Sequence, residues 1–520
     1  MTKRLLPLLA LALGSGSAAS AAEPASGTPP PATTPAAASA TGARTFSLHD
    51  LLVETLNTNL ELRAKRLDPV IQDNRLQAAW GTFEPNLVSS YSFATSERPQ
   101  TASVTTSIFG GAGSLYQDQV DHFEAGFNGR LPTGTQYQVL TTTDRSRNTY
   151  NRSANSPFRP EYVSNSTITL VQPILRDFGL KSNLAEVRLQ KSARAASRYD
   201  LETTVLRVMR DVTAAYFEMV FAQENIRVKE QAVAVAENLV RENQRRTDEG
   251  RMAPIDITQA QGRLAEAREE LLLARNFLAQ RRNTLRELTR ENFAFDDVEF
   301  LVDDTFIKRE APSIERDRSL ATLFERNPSY LASVELAKSE DIRIAYAQNQ
   351  LWPRVDLRGT FGFNGLQDDF VDSYKDYYER HQPTWSAGVV VNIPIGNRTA
   401  RGRLAEAKNR KQQAIYNLKR TEVVLLSAFD TALRDITNAA ERVGLVKDSV
   451  SLAQAAADAE TLRLGQGRTT SFNVSQTFRD LSQAQSRSLA SLVDLNKALV
   501  QLYFVLGTLP EYLRVDIKTD

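Results

Sequence analysis

The chain has 520 residues, with 63 Lys and Arg set against 62 Asp and Glu, so it carries no basic footprint for nucleic acid. It has no Cys and three His (His49, His122 and His381), none at ligand spacing from another. Disulfide frameworks, thiolate metal sites and His-based hydrolytic chemistry are thereby set aside.

In chain order, residues 1–21 predict a signal peptide: Lys3 and Arg4, an apolar stretch from Leu5 to Leu13, then the small residues Ala19, Ser20 and Ala21. That stretch is too short for a membrane helix, which needs roughly 20 apolar residues. Residues 22–43 are almost wholly Ala, Pro, Thr, Ser and Gly and predict a flexible linker. No later apolar run reads as a membrane helix, so a membrane crossing would require a closed barrel.

The remainder is a repeat. Leu52 to Phe93 aligns without gaps on Leu320 to Phe361, pairing Asn59 with Asn327 and Pro85 with Pro353. Further on, Leu170 to Ile174 is answered by Val391 to Ile395, and Leu184-Ala185-Glu186 by Leu404-Ala405-Glu406. Gly250 and Arg251 are answered by Gly467 and Arg468, and Gln259 by Gln476. The expected organisation is a first repeat over 44–295, an inter-repeat segment over 296–318, a second repeat over 319–509 and a tail over 510–520.

Each repeat combines long helices with strands. Between Leu180 and Glu249 there is neither Gly nor Pro, and Leu201, Val205, Val208, Val212, Ala215 and Met219 keep helical spacing. A helix of that length would span roughly 100 Å. Arg403 to Leu464 is nearly as long, with Gly444 its one weak point. Beyond Gly250 and Gly467 the chain is expected to turn back. Leu264, Leu271, Leu278 and Leu285 then recur every seventh residue, matched by Leu481, Ser488, Leu495 and Leu502, which implies supercoiled packing. Helices are expected over 180–290 and 400–506.

Strands are expected over about 86–172 and 354–393. Val355, Leu357, Gly359, Phe361 and Phe363 alternate with Arg354, Asp356, Arg358, Thr360 and Gly362, as in membrane barrel strands. A water-soluble sandwich would alternate in the same way. The link from Gln367 to Gln382 is expected as a loop. The first insert is about twice as long as the second and holds an additional alternating pair, Phe123 to Leu131 and Gln136 to Thr143, hinged at Pro132 to Thr135. It predicts either a hairpin prolonging the barrel outward or additional wall strands; two wall strands per repeat is the expectation preferred. Pro85, Pro173, Pro353 and Pro394 are expected where barrel meets helices. Four wall strands cannot close a wide channel alone, whereas a homotrimer would supply twelve strands and twelve helices.

The order and doubling of these phrases resemble the outer membrane efflux protein (TolC-like) family over nearly the whole chain after the linker. Val171 to Gly179 is similar to the family's strand-to-helix junction, and Val391 to Asn397 to its second version. Gly250 to Ile257 and Gly467 to Val474 resemble the turns at the tunnel's periplasmic end. The resemblance implies a mainly helical fold with membrane β-structure, trimeric, with no catalysis and no cofactor or metal. It further implies an outer-membrane exit duct for efflux or type I secretion, with a periplasmic adaptor and an inner-membrane transporter of the RND or ABC type as partners. Gly250, Arg251, Asp256, Gly467, Arg468, Asn473 and Gln476 then fall at the tip, as gate or adaptor contact. Family tips often carry acids just after the second turn; here Asn473 and Gln476 stand there, while Asp256 supplies an acid at the first.

The rival from another class is a secreted periplasmic coiled-coil scaffold or adaptor. Enzymatic readings lack support, because acidic pairs such as Asp303-Asp304 and Asp368-Asp369 fall in expected loops.

Overall fold

A computed structural model describes residues 44–99, 115–152, 156–289, 300–303, 307, 310, 312, 314–379 and 382–516. The expected signal peptide and linker, His381, Asp304 and parts of the inter-repeat segment and tail lie outside these residues.

A short strand, β1 (Arg44–Phe46), leads into α1 (Leu48–Thr58) and α2 (Leu60–Trp80). Four strands follow: β2 (Asn86–Pro99), β3 (Leu115–Arg130), β4 (Gln136–Asn148) and β5 (Glu161–Pro173). A single turn, α3 (Leu180–Asn183), precedes the long α4 (Ala185–Asp248), and α5 (Pro254–Thr289) runs back beside it. After β6 (Phe300–Val302) come α6 (Arg316–Arg326), α7 (Pro328–Asn349), β7 (Arg354–Gln367), α8 (Phe370–Glu379) and β8 (Pro383–Asn392). The second long pair, α9 (Arg398–Gly465) and α10 (Ser471–Leu506), ends in α11 (Leu509–Leu513).

The repeat is visible at single side chains. Asn59 ends α1 and caps α2, accepting from the Leu62 amide at 3.0 Å, and Asn327 does the same between α6 and α7 with the Tyr330 amide at 3.0 Å. Each also donates through Nδ2, at 2.8 Å, to a carbonyl of the returning helix: Leu288 for Asn59, Val505 for Asn327. Such a cap contributes about 1 kcal/mol. Here it also fixes how each short helix pair meets its long one.

The helices α4 and α9, of 64 and 68 residues, span about 100 Å each at 1.5 Å per residue. Gly444 does not break α9. The apolar core lies midway along them. There Leu51, Val212, Tyr216, Phe217, Met219, Leu285 and Leu509 form one buried cluster, and Leu323, Phe429, Leu495, Leu499 and Leu502 a second. The parallel pair β1–β6 belts this level. Tyr216 donates to both Asp303 O and Oδ1, at 2.6 and 2.8 Å, so Asp303 is a structural acceptor. By length and composition α10 alone among the described helices is apolar enough to cross a membrane, which the sequence reading passed over; half of that stretch is buried against its neighbours.

The remaining six strands form one antiparallel sheet in the order β2-β3-β4-β5-β7-β8. The first repeat thus contributes four strands to this sheet, where two wall strands per repeat was the expectation preferred. The reason lies in the turn after β3. Leu131 accepts the Gly134 amide and donates to Thr135 O, both at 2.8 Å, and Gly179 N–H donates to Thr133 O at 3.0 Å. The turn is thus tied to the segment entering α3, at the helical foot of the sheet. The additional pair β3–β4 runs the full height of the wall instead of projecting beyond it. The expected loop from Gln367 to Gln382 also differs: it contains α8, started by Asp369, whose Oδ1 accepts from the Val371 amide at 2.8 Å.

Candidate functional site

The sheet has two unlike faces. Direct cross-strand neighbours Leu87, Phe127, Val139, Ile168, Phe361 and Trp385 make one row running across all six strands. Every member is exposed, from 41% for Val139 to 75% for Trp385. On the opposite face Ser90, Glu124, Thr142, Asn165 and Asn364 make a polar row across five of the strands. An apolar band of this extent is out of place against water but suits hydrocarbon, and the polar row suits an aqueous lumen. His122, on the polar face, bonds Asp144 at 2.6 Å. Among the described residues no group of three or more His, Asp or Glu could hold a metal ion.

Helix α8 lies over the outer end of the apolar face. Ser373 Oγ bonds Ser164 Oγ at 2.7 Å, and Tyr374 OH bonds Thr143 Oγ1 at 2.6 Å. Phe370 packs edge-on against both Tyr162 and Tyr374. This places aromatic rings at the outer rim of the band.

At the inner rim, Pro85 and Pro353 immediately precede β2 and β7, Pro173 ends β5, and Pro394 follows β8. Sequence reasoning missed the polar residues that lock this junction. Asn349 Oδ1 accepts from the Asp177 amide at 2.8 Å, Gln350 donates to the Asp177 carboxylate at 2.6 Å, and Asn397 Nδ2 donates to Leu351 O at 3.0 Å. Asp177 and Asn397 both take positive φ, the signature of the sharp change from strand to helix. The phrases Val171 to Gly179 and Val391 to Asn397 marked the junction in the sequence, but nothing there singled out Asn349 or Gln350 as their partners.

At the far end the two long hairpins turn alike. Gly250 (φ +72°) and Gly467 (φ +70°) adopt the left-handed conformation that closes each helix, and Arg251 and Arg468 donate their amides to Arg246 O and Arg463 O at 2.8 and 2.9 Å. Asp256, in the first turn of α5, accepts from the Ala253 amide at 3.3 Å, and Thr470 caps α10 by accepting from the Asn473 amide. Asn473 is exposed; Gln476 is half-buried and donates to Asp480 at 3.0 Å. An acid therefore stands one turn beyond Gln476, which the sequence reading overlooked. The two turns are stitched together by Asn243, fully buried, which donates to Ser471 Oγ at 2.8 Å and Asp256 O at 3.1 Å. Arg246 reaches Leu464 O at 3.2 Å. All seven expected tip residues thus fall in one small region, but Asn243, Arg246 and Ser471 hold it together.

The outer membrane efflux protein family model matches residues 138–289 and 322–508, one stretch in each repeat. The chain belongs to this family. It is 25% identical over 341 residues to the outer membrane protein TolC of Vibrio cholerae, covering 63% of this chain and 74% of that one. Its fold is similar to that of the CmeC outer membrane channel of Campylobacter jejuni (TM-score 0.62, 18% identity, 89% of this chain and 86% of that one). It is likewise similar to the outer membrane protein VceC of Vibrio cholerae (TM-score 0.61, 17% identity, 88% and 96%). This efflux family protein is accordingly an outer-membrane channel with a periplasmic helical tunnel, a passive conduit and not an enzyme.

Proposed function

We propose that three copies close into a single duct through which cargo leaves the cell, working with a periplasmic adaptor and an inner-membrane transporter. The observation that carries this reading is the sheet itself. Its apolar face suits lipid, yet β2 and β8 are edge strands with unpaired backbone groups. Hydrocarbon does not tolerate such edges, so they must pair with another copy. Six strands from each of three copies give eighteen, a size that leaves an aqueous channel. Four helices per copy at each level give a matching ring of twelve: α2, α4, α7 and α9 near the membrane, α4, α5, α9 and α10 toward the tip. The paired tips, with Asp256, Asn473 and Gln476, are the gate or adaptor-docking end.

Because the chain has no Cys, engineered pairs report cleanly. Chains carrying one cysteine on β2 and one on β8 should give covalent trimers on non-reducing gels of outer-membrane fractions. Recovery as a monomer in the soluble periplasmic fraction, uncrosslinked at every pair, would favour the coiled-coil scaffold instead.

A further inference from the structure

A cavity of about 560 Å³ opens where the helices meet the foot of the sheet. Arg130, Arg176, Arg343, Arg403 and Arg410 line it, against the carboxylates of Asp177, Glu186 and Glu406. Its formal balance is therefore cationic, and local pairing makes it more so. Glu406 is taken by Arg410 at 2.6 Å, and Asp177 accepts from Gln350 at 2.6 Å with Arg176 at 3.7 Å. Glu186 accepts from Gln190 at 2.6 Å. Arg343 meets Glu340, which is not part of the lining, at 3.3 Å. Among the described residues, two guanidinium groups of the lining have no carboxylate of their own. Arg130 donates only to the neutral amide oxygen of Asn183, with its Nε buried and unbonded, and Arg403 forms no ion pair among the described residues.

The cavity's side of the wall can be assigned. Arg130 shares strand parity with Glu124, so it projects from the polar face, opposite Phe127 and the apolar band. Lipid headgroups on the outside of the barrel therefore do not approach it from that face. A planar, permanently charged fork is the side chain best suited to grip a carboxylate or phosphate through two hydrogen bonds. The cavity is also a product of the repeat. Glu186 and Glu406 occupy equivalent positions, but the residue preceding each Leu-Ala-Glu phrase is Asn183 in one copy and Arg403 in the other. The second copy thus supplies a cation where the first supplies an amide.

We infer that this cavity is a binding station for the phosphate or carboxylate groups of solutes moving through the duct. The inference rests on the duct reading, under which three such cavities ring the top of the tunnel and favour anionic cargo. The test combines reversal potentials of the purified protein in planar bilayers under a KCl gradient with calorimetric binding of inorganic phosphate in detergent. The wild-type pore should prefer anions and bind phosphate. Arg403→Gln should lower both, and Arg403→Glu should move the reversal potential further toward cation preference. Arg403→Lys should keep the selectivity but lose phosphate affinity, since the paired donors are gone. Conducting pores with the same reversal potential in all four proteins, and no phosphate heat in the wild type, would overturn the inference while leaving the duct intact. Phosphate binding that Arg403→Gln weakens, without any conductance, would keep the anion site but overturn the duct and with it the site's role in cargo passage.

Discussion

Glu218 stands midway along α4 with Arg281 of α5 and Lys497 of α10 each 2.5 Å from its carboxylate. Burial alone would raise its pKa, but the two cations together outweigh burial and hold it below the ordinary value of 4.5. A carboxyl depressed in the folded state contributes stability that is fully present above its unfolded pKa and is lost as pH falls through the folded one. Thermal melts should therefore be insensitive to this group near neutrality and should fall in acid below about pH 4.5. Glu218→Gln should cost about 1–2 kcal/mol at neutral pH and flatten that acid limb; an acid limb as steep as the wild type's would remove Glu218 from the account. Glycines at positive φ offer a second contrast. At Gly507 (φ +76°) an added Cβ would lie 2.6 Å from Arg326 O, whereas at Gly467 (φ +70°) it would meet nothing within 4 Å. Gly467→Ala should cost only the left-handed strain, about 1 kcal/mol, and Gly507→Ala about 2–4 kcal/mol because the backbone must also move. Equal melting shifts for the two would contradict the packing at the α6–α10 contact.

Strand β4 is where sequence and structure part company at the scale of elements. Alternation from Gln136 to Thr143 was plain in the sequence, and it correctly marked an additional hairpin. Alternation names faces, however, not neighbours, and gives no clue to where a hairpin's turn is anchored. The contact that decides it, the Gly179 amide on Thr133 O, joins residues far apart in sequence. Helix α8 was hidden for a related reason: it is short and its apolar residues are interleaved with charged ones, and its hold on the sheet comes through Ser373, Tyr374 and Phe370, whose partners lie far away in sequence. The wall position of β4 makes a directional prediction. Val139 lies in the apolar row and Thr142 in the polar one. An arginine at Val139, a few residues above the foot of the sheet, should destabilise the membrane-inserted oligomer by about 1–2 kcal/mol, between the interfacial and mid-bilayer costs, while an arginine at Thr142 should be nearly neutral. Heat-modifiable migration of the two variants on gels checks this, and equal effects would take β4 out of the lipid-facing wall.

For the molecule as a whole, the doubled unit was the most legible feature, because matched phrases such as those around Asn59 and Asn327 survive as matched hydrogen bonds to Leu288 and Val505. The tip was half legible. Gly250 and Gly467 announced the turns, but Asn243, which stitches them, sits unmarked inside an uninterrupted helical run. Closure was not legible in strand number, since four strands in the first repeat change the proposed ring from twelve to eighteen. As proposed, this efflux family protein forms a water-filled trimeric duct bounded by that ring. Single-channel recording from the detergent-purified, size-defined oligomer in planar bilayers tests it most directly. Stepwise conductance carried by a trimer is the expected result. A monodisperse monomer that leaves the bilayer silent would contradict it.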